Sequence, residues 1–425
     1  MSNYSKFERR LAKILSGNPR IKSFIKKIYQ RIVFVLNQPS EFVISKYDIK
    51  KIESESYESF FGYYDNNPEC DGKVLYQVTS KDTSLKPGLY LDDPTFTLVR
   101  VTDLFSGDIL FSKETKAYNW QQGSKLQWIS KDSFVYNDLS EKGNAQGKLI
   151  YLSTGEEKTL PEPIYDTYKA DYYLSLNYAP LTKLRPDYAY FNGVDHEYID
   201  FDNQYIKYCT FDGNNKVLIT LKKIVEDFPL SFQCGFSKQK FNHIMISPLG
   251  QKFVFLHRAY NSMGKRVDRL FLGEINFDTY DCDIRLISDS GMISHYCWVD
   301  DGSLISYMNH NDVNGYYRIN LSKQITLTKI NIDNLDSFGD GHPTYIGDSK
   351  FITDSYPDKS RIKQLLLVDM KIGTSTVIGS FLEPLKFHGE TRCDLHPKWD
   401  AATSCVYIDS VHEGKRSLYK VGPII

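Results

Sequence analysis

The chain has 425 residues, of which 41% are hydrophobic and 14% aromatic, so it can bury a large core. Its formal net charge of -1 gives no overall case for nucleic acid as a partner. Seven cysteines occur without CxxC spacing, which indicates neither a disulfide framework nor a zinc finger and fits a reducing cytoplasm.

The first forty residues depart from this neutral balance, because they carry nine basic residues and a single acid, Glu8. Asn18 and Pro19 predict the start of a helix. Apolar residues follow at helical spacing, namely Ile21, Phe24, Ile25, Ile28 and Ile32. The sequence therefore predicts a short basic amphipathic helical extension over residues 1–45.

This extension lacks the apolar length of a membrane span, since its longest apolar run, Ile32 to Leu36, cannot cross a bilayer of about 30 Å. No small-residue cleavage site follows it, which argues against a secretory signal. Two interpretations remain open. Residues 6–36 bind an anionic membrane surface or a partner, or the helix packs on the rest of the protein with its basic side chains in water. We expect a cytoplasmic protein that lies peripherally at the inner membrane.

A repeated pattern organises the rest of the chain. Each clear copy has a histidine, a short strand, a tight turn and a second strand, and the copies contain His243, His295, His342 and His396. Successive copies lie roughly 40 to 60 residues apart, the period of a four-stranded propeller blade. We predict an all-β fold, with one seven-bladed β-propeller over residues 46–425. The predicted blades span about 57–112, 119–165, 172–223, 241–288, 295–332, 342–380 and 388–423.

In a propeller the innermost strands converge on a central funnel, so residues at equivalent places in different blades meet there. The four repeated histidines should therefore form one cluster, with Arg392 and Asp394 beside the last of them. Imidazole and carboxylate groups in such a ring bind divalent transition metals. A single histidine at a strand start is more often a structural hydrogen-bonding residue, but four in register favour a functional site.

The earlier blades carry side chains typical of a sugar-binding surface, where aromatic rings stack on sugar faces and amides or carboxylates bind hydroxyl groups. The candidates for substrate binding are Tyr63, Asp65, Asn119, Gln121, Gln122, Asn137 and Asp138. The alternative is that the aromatic residues fill the space between blades and that the polar residues form turns.

Five motifs resemble known propellers. His243-Ile-Met-Ile-Ser-Pro, His295-Tyr-Cys-Trp and Asp394-Leu-His-Pro resemble motifs of the oligogalacturonate-lyase-like seven-bladed propellers. Phe61-Gly-Tyr-Tyr-Asp and Asn119-Trp-Gln-Gln-Gly resemble motifs of uncharacterised propellers from bacterial surface-polysaccharide loci.

The resemblance to the lyases implies a site in which three histidines and a glutamine hold manganese and a further histidine, with an arginine nearby, acts on the sugar. By motif position, His295 and His396 resemble metal ligands and His243 resembles the catalytic histidine. The chain departs from the pattern at Asp394, where the lyases have a second histidine, and it shows no matching glutamine. His342 is the candidate that completes the set, and the implied cofactor is a divalent metal such as Mn, Ca or Zn.

The implied reaction is β-elimination from an acidic, uronate-containing glycan. It removes the proton α to a carboxylate, so the site must neutralise that carboxylate and supply a base. Arg258 and Arg392 are the candidate carboxylate clamps, and His243 is the candidate base.

The favoured function is thus a lyase for an acidic polysaccharide or oligosaccharide, linked to a bacterial surface polysaccharide such as capsule or O-antigen. Two alternatives remain open. One is a glycoside hydrolase or glycosyltransferase of polysaccharide biosynthesis, and the other is a non-enzymatic glycan-binding or assembly protein. The chain lacks the G-x-S-x-G, P-loop, Rossmann and H-E-x-x-H motifs.

Overall fold

The computed structural model describes residues 19–53, 56–63, 66–87, 95–190, 201–230, 238–261 and 266–424. Within these ranges the chain forms seven antiparallel sheets, which are the seven blades of a β-propeller. The predicted fold class is therefore confirmed. Helix α1, Pro19–Leu36, precedes the blades, and none of the described helices is both long enough and apolar enough to cross a membrane.

The strands follow the chain order, blade by blade. Two short strands come first, β1 (Val43–Ser45) and β2 (Ile49–Lys51). Blade 1 contains β3 (Glu58–Phe60), β4 (Glu69–Cys70), β5 (Lys73–Thr79), β6 (Thr97–Asp103) and β7 (Ile109–Glu114). Blade 2 contains β8 (Gln127–Trp128), β9 (Ser133–Leu139), β10 (Ala145–Tyr151) and β11 (Glu157–Leu160). Blade 3 contains β12 (Asp166–Tyr168), β13 (Tyr172–Leu176), β14 (Tyr205–Thr210) and β15 (Asn215–Thr220).

The remaining blades carry the four repeated histidines. Blade 4 contains β16 (Lys238–Ile246), β17 (Lys252–Tyr260), β18 (Arg266–Asn276) and β19 (Asp281–Gly291). Blade 5 contains β20 (Ile293–Asp300), β21 (Ser303–His310), β22 (Val313–Asn320) and β23 (Thr326–Lys329). Blade 6 contains β24 (Thr344–Gly347), β25 (Lys350–Asp354), β26 (Ile362–Asp369) and β27 (Thr374–Leu382). Blade 7 contains β28 (Lys398–Asp400), β29 (Cys405–Ser410) and β30 (Ser417–Val421).

Short helices lie between strands. An insertion between β13 and β14 contains α2 (Ala179–Leu184) and a 3₁₀ turn, Pro186–Tyr188. Helix α3 (Leu221–Asp227) follows β15, and α4 (Leu335–Phe338) follows β23. A second 3₁₀ turn, Gly389–Thr391, precedes blade 7. The insertion in blade 3 matters most for function, because it contributes side chains to the funnel.

Each blade packs against a neighbouring blade on both faces, which explains why its strands are apolar on both sides. In β17, Phe253, Val254, Phe255 and Leu256 are all fully buried. A strand covered on one face would alternate apolar and polar residues, whereas a strand between two neighbouring blades is apolar on both sides. This is why several strands appear in the sequence as continuous apolar runs.

The ring closes through the N-terminal segment. Strand β2 pairs with β30 and supplies the fourth strand of blade 7, while β1 pairs with β27 and adds a fifth strand to blade 6. The predicted blade at 388–423 therefore supplies three strands rather than four. The sequence pattern could not show this, because the outer strand comes from the opposite end of the chain.

We predict that closure, rather than the helix, is what stabilises the ring. Removing residues 1–51 takes away β1 and β2 and exposes the edge of β30, so the midpoint of thermal unfolding should fall by roughly 5 °C. Removing residues 1–40 leaves both strands and serves as the matched control, with an expected midpoint near that of the full chain. Equal midpoints for the two truncated proteins would show that the N-terminal strands do not close the ring.

Candidate metal and catalytic site

Four histidines surround one tyrosine on the axis of the propeller. The ring centroids of His243, His295, His342 and His396 lie 5.4, 5.4, 4.9 and 5.1 Å from that of Tyr63. All five side chains are buried. The structure therefore brings together four histidines that are up to 153 residues apart in sequence (396 - 243).

Unusual backbone conformations aim two of these imidazoles. His243 and His396 have φ angles of 51° and 47°, in the left-handed region that residues other than glycine rarely adopt. His243 lies where the pairing register of β16 with β17 shifts between Asn242 and Met245. Such irregularities re-aim side chains and are concentrated at functional sites.

One carboxylate, that of Asp354, positions histidines from two blades. The backbone N–H of His342 donates to Asp354 Oδ1 at 2.7 Å, and the Nδ1 of the same histidine donates to that oxygen at 2.8 Å. The backbone N–H of His396 donates to Asp354 Oδ2 at 3.1 Å. Because Nδ1 of His342 carries the proton, its Nε2 keeps a lone pair for a metal.

Three side chains form a candidate metal centre. His342, Asp394 and His396 each offer a ligand atom, and these atoms all lie within 4.8 Å of one another. Nε2 of His342, both ring nitrogens of His396 and Oδ1 of Asp394 are buried and have no hydrogen-bond partner among the described residues. Buried polar atoms without partners are costly, and a divalent cation would satisfy them. The residues present therefore fit a metal ion.

His295 is the fourth member of the cluster. Its ring centroid lies 3.9 Å from that of His342, and its Nδ1 lies 3.2 Å from Oδ1 of Asp340. This carboxylate orients the ring as Asp354 orients His342. Burial, together with the neighbouring His342, lowers the pKa of His295. Its role as a metal ligand stays a prediction.

His243 has the properties of a neutral base. Burial lowers its pKa well below the usual value, and the positive charge of Arg258 lowers it further. Its Nδ1 is buried and has no hydrogen-bond partner among the residues that the structure describes. The ring of Tyr188, from the blade 3 insertion, packs at 5.1 Å between centroids. A neutral imidazole with an unused ring nitrogen is competent to accept a proton.

The two candidate arginines lie in different environments. Arg392 donates to Asp394 at 2.7 Å and to Asp187 at 3.2 Å, so two carboxylates already balance its charge. Arg258 is buried in β17 and forms an ion pair with Asp268 at 3.2 Å. The ion pair uses Nε, and one terminal nitrogen has no hydrogen-bond partner among the described residues. Arg258 therefore retains more capacity to bind a carboxylate than Arg392 does.

The other predicted sugar-binding residues mostly bond within the protein. Asn119 accepts hydrogen bonds from the backbone of Gln121 and Gln122, and Asn137 donates to Tyr190 and to a backbone carbonyl. Asp138 accepts from the backbone of residues 116 and 139. Asp65 lies outside the described residues. A cavity of about 250 Å³ between blades 2 and 3 is lined in part by Tyr178, Tyr190 and Tyr205. Sugar binding by these residues stays a prediction.

Sequence reasoning missed several residues of the site. Asp340 and Asp354 orient histidines, Asp187 and Tyr188 come from the blade 3 insertion, and Tyr356 lies at the mouth. The ring centroid of Tyr356 is 6.1 Å from that of His342. The one available signal was the placement of Asp354 and Tyr356 at the end of a buried strand. The insertion gave no signal, because it interrupts the repeat.

The fold and the site together define a seven-bladed propeller with a histidine and aspartate cluster on its axis. An oligogalacturonate lyase in complex with manganese shares the fold, with a TM-score of 0.53 at 13% identity over 89% of this chain and 96% of that chain. The tricorn protease gives a TM-score of 0.50 at 9% identity over 90% of this chain and 34% of that chain. No family model matches the chain, and no curated protein matches it. The resemblance to the lyase is thus confirmed, and at these identities it establishes the fold alone.

We predict that Asp354→Asn lowers the affinity for Mn²⁺ by about 10- to 100-fold, because the amide cannot hold the proton on Nδ1 of His342 and also accept from the backbone of His396. Asp333→Asn, at an exposed carboxylate after β23, removes the same charge and is the control. Titration calorimetry with Mn²⁺ measures both affinities. Equal affinities in the two variants would mean that Asp354 does not position metal ligands.

Proposed function

We propose that the protein is a metal-dependent lyase that cleaves an acidic, uronate-containing polysaccharide or oligosaccharide by β-elimination. The observation that carries the proposal is the pairing, in one funnel, of a buried cluster that could hold a metal with the neutral imidazole of His243, whose Nδ1 has no partner among the described residues. The manganese-bound lyase of the same fold supports it. We also propose that the substrate is linked to a bacterial surface polysaccharide, as the sequence motifs suggest.

Each step of an elimination has a candidate group. A divalent ion held by His342, His396 and Asp394 would draw electron density from the uronate carboxylate, which acidifies the α proton. His243 accepts that proton. Arg258 offsets the charge that develops on the carboxylate, because one of its terminal nitrogens has no acceptor among the described residues. The phenol of Tyr356, which is exposed at the mouth, is protonated at neutral pH like that of any ordinary tyrosine, so it can donate to the departing oxygen.

Two acids of the funnel, Asp187 and Asp394, do not suit the general-acid role of a glycoside hydrolase. A hydrolase needs one carboxyl group with a raised pKa as general acid. Burial favours a raised pKa in Asp187, but the hydrogen bonds of Arg185 outweigh it and bring the value to about 2. In Asp394 burial is likewise outweighed, by the charge of Arg392, so its pKa is lowered. Both acids stay ionised and cannot donate a proton near neutral pH. Burial raises the pKa of Asp166, at the start of β12, to about 6, so a hydrolase stays the second candidate.

Helix α1 supports a peripheral membrane attachment. Ile28, Ile32, Val35 and Leu36 share one helical face, and their exposed fractions are 43%, 55%, 66% and 76%. This apolar face is not covered by the propeller. The sequence of segment 6–36 is also rich in basic residues, and an apolar helical face beside basic residues is the pattern that binds anionic lipid. We therefore propose that the protein binds peripherally to the cytoplasmic side of the inner membrane.

The lyase proposal predicts that His243→Asn and His396→Asn behave differently. Both replace an imidazole on a left-handed backbone, a conformation that asparagine tolerates. His243→Asn should retain its metal and lose about 10²- to 10⁴-fold in rate, the contribution of a general base. His396→Asn should lose metal and activity together.

The assay follows the ultraviolet absorbance of unsaturated uronate on polygalacturonate, alginate and glucuronan, with His310→Ala, a histidine at the end of β21, as the control. Cleavage that yields reducing ends without this absorbance would instead indicate a hydrolase. Binding of these glycans without cleavage would indicate a glycan-binding protein.

The membrane proposal predicts that removing residues 1–40 abolishes sedimentation with vesicles that contain phosphatidylserine, because the apolar and basic faces are both lost. The full chain should bind these vesicles and not vesicles of phosphatidylcholine alone. If the truncated protein sediments as well as the full chain, the helix is not the membrane anchor.

A further inference from the structure

Blade 4 contains a row of buried polar side chains, of which the proposed reaction uses only Arg258. Lys240 of β16 lies directly opposite Arg258 of β17, and Arg258 lies directly opposite Asp268 of β18. Tyr260 lies two residues beyond Arg258 and so on the same face of the sheet. Side chains at opposite positions in neighbouring antiparallel strands contact each other. The four residues therefore form one polar cluster within the blade.

The cluster has too many donors for its acceptors. Nζ of Lys240, a terminal nitrogen of Arg258 and the hydroxyl of Tyr260 are buried, and none has a hydrogen-bond partner among the described residues. Lys240 is 0% exposed and Arg258 is 3% exposed. The carboxylate of Asp268 is shared between Arg258 at 3.2 Å and Arg266 at 3.0 Å. Oδ1 of Asp268 also has no hydrogen bond, so among the described residues one unpaired acceptor faces three unpaired donors.

Burial and the charges that face Lys240 set the pKa of its amine. Arg258 and Asp268 lie on neighbouring strands, while Arg185 and Asp187 come from the blade 3 insertion. Burial lowers the pKa of Lys240 well below its usual value, and the charges of Arg258 and Arg185 lower it further. Asp187 is already held by Arg185 at 2.9 Å and by Arg392 at 3.2 Å. An arriving anion would supply the missing acceptor and favour protonation of the amine.

We propose that Lys240, Arg258 and Tyr260 form a binding site for an oxyanion group of the substrate, a carboxylate or a sulfate on a sugar ring. The site lies beside the reaction centre, because Lys240 is three residues before His243 on the same strand and Arg258 acts on the charge state of His243. The assignment to a sugar rests on the proposed function. That the three donors need an anionic acceptor does not depend on the proposed function.

The test uses titration calorimetry on the full chain with galacturonate, glucose 6-sulfate and uncharged galactose. Galacturonate or glucose 6-sulfate should bind and galactose should not, and whichever binds more tightly identifies the group that the site takes. Lys240→Met keeps the aliphatic chain and removes the charge, so it should weaken binding by about tenfold or more, the effect of one charged hydrogen bond. Tyr260→Phe removes only the hydroxyl and should also weaken binding.

Proton uptake separates a direct role of Lys240 from a structural one. Wild-type binding in buffers of different ionisation enthalpy, measured over a range of pH, should show uptake of a proton where the free amine is neutral, and Lys240→Met should show none at any pH. Both variants should keep the thermal midpoint and the metal content of the wild type.

The proposal is overturned if galactose binds as well as the charged sugars, or if both variants bind as the wild type does. His243→Asn should still bind the charged sugars. If charged sugars bind to this site and no glycan is cleaved, the lyase proposal fails while the anion site stands.

Discussion

The hydrogen bonds of Asp354 are the interaction on which the rest of the site depends. Its carboxylate fixes the backbone and ring of His342 and the backbone of His396, so one side chain joins blades 6 and 7 at the axis. The backbone around Asp354 is tightly packed, so a neighbouring residue cannot be replaced by a larger one. A side chain at position 341 would place its Cβ 1.8 Å from the carbonyl oxygen of Asp354, so only glycine fits there.

The N-terminal strands that close the ring belong to the same two blades, 6 and 7. Strands β1 and β2 add to blades 6 and 7, the blades that carry His342 and His396. Candidate metal ligands from different blades keep their spacing only if the blades keep theirs. We therefore expect the pairing of the N-terminal segment to maintain the geometry of the site as well as the stability of the propeller.

The position of the central tyrosine, Tyr63, gives a structural role to the Trp-Gln-Gln-Gly motif that begins at Trp120. The backbone N–H groups of Phe61 and Gly62 donate to Asp409, and that of Tyr63 donates to the carbonyl oxygen of Gln121. The side-chain amide of Gln121 in turn donates to the carbonyl oxygen of Arg392. The Trp-Gln-Gln-Gly segment thus links the loop that carries Tyr63 to the loop that carries Arg392. Its physical role is to hold the two loops at the axis.

The sequence predicted the parts of the structure that follow from periodicity. The spacing of His243, His295, His342 and His396 identified both the propeller and the convergence of their side chains, because equivalent places in successive blades meet on the axis. It could not show that Asp354 orients His342, since a carboxylate at a strand end has many possible partners. Lys240 was also missed, because in sequence a lysine in a strand is usually exposed.

The central claim is that His342, His396 and Asp394 hold a divalent metal on the axis of the propeller. The most direct measurement is an anomalous difference map from crystals of the full chain grown with Mn²⁺. The account predicts one strong peak at about 2.0 to 2.3 Å from Nε2 of His342, a ring nitrogen of His396 and an oxygen of Asp394. A map without a peak at these three side chains, from crystals that contain manganese elsewhere, would contradict it.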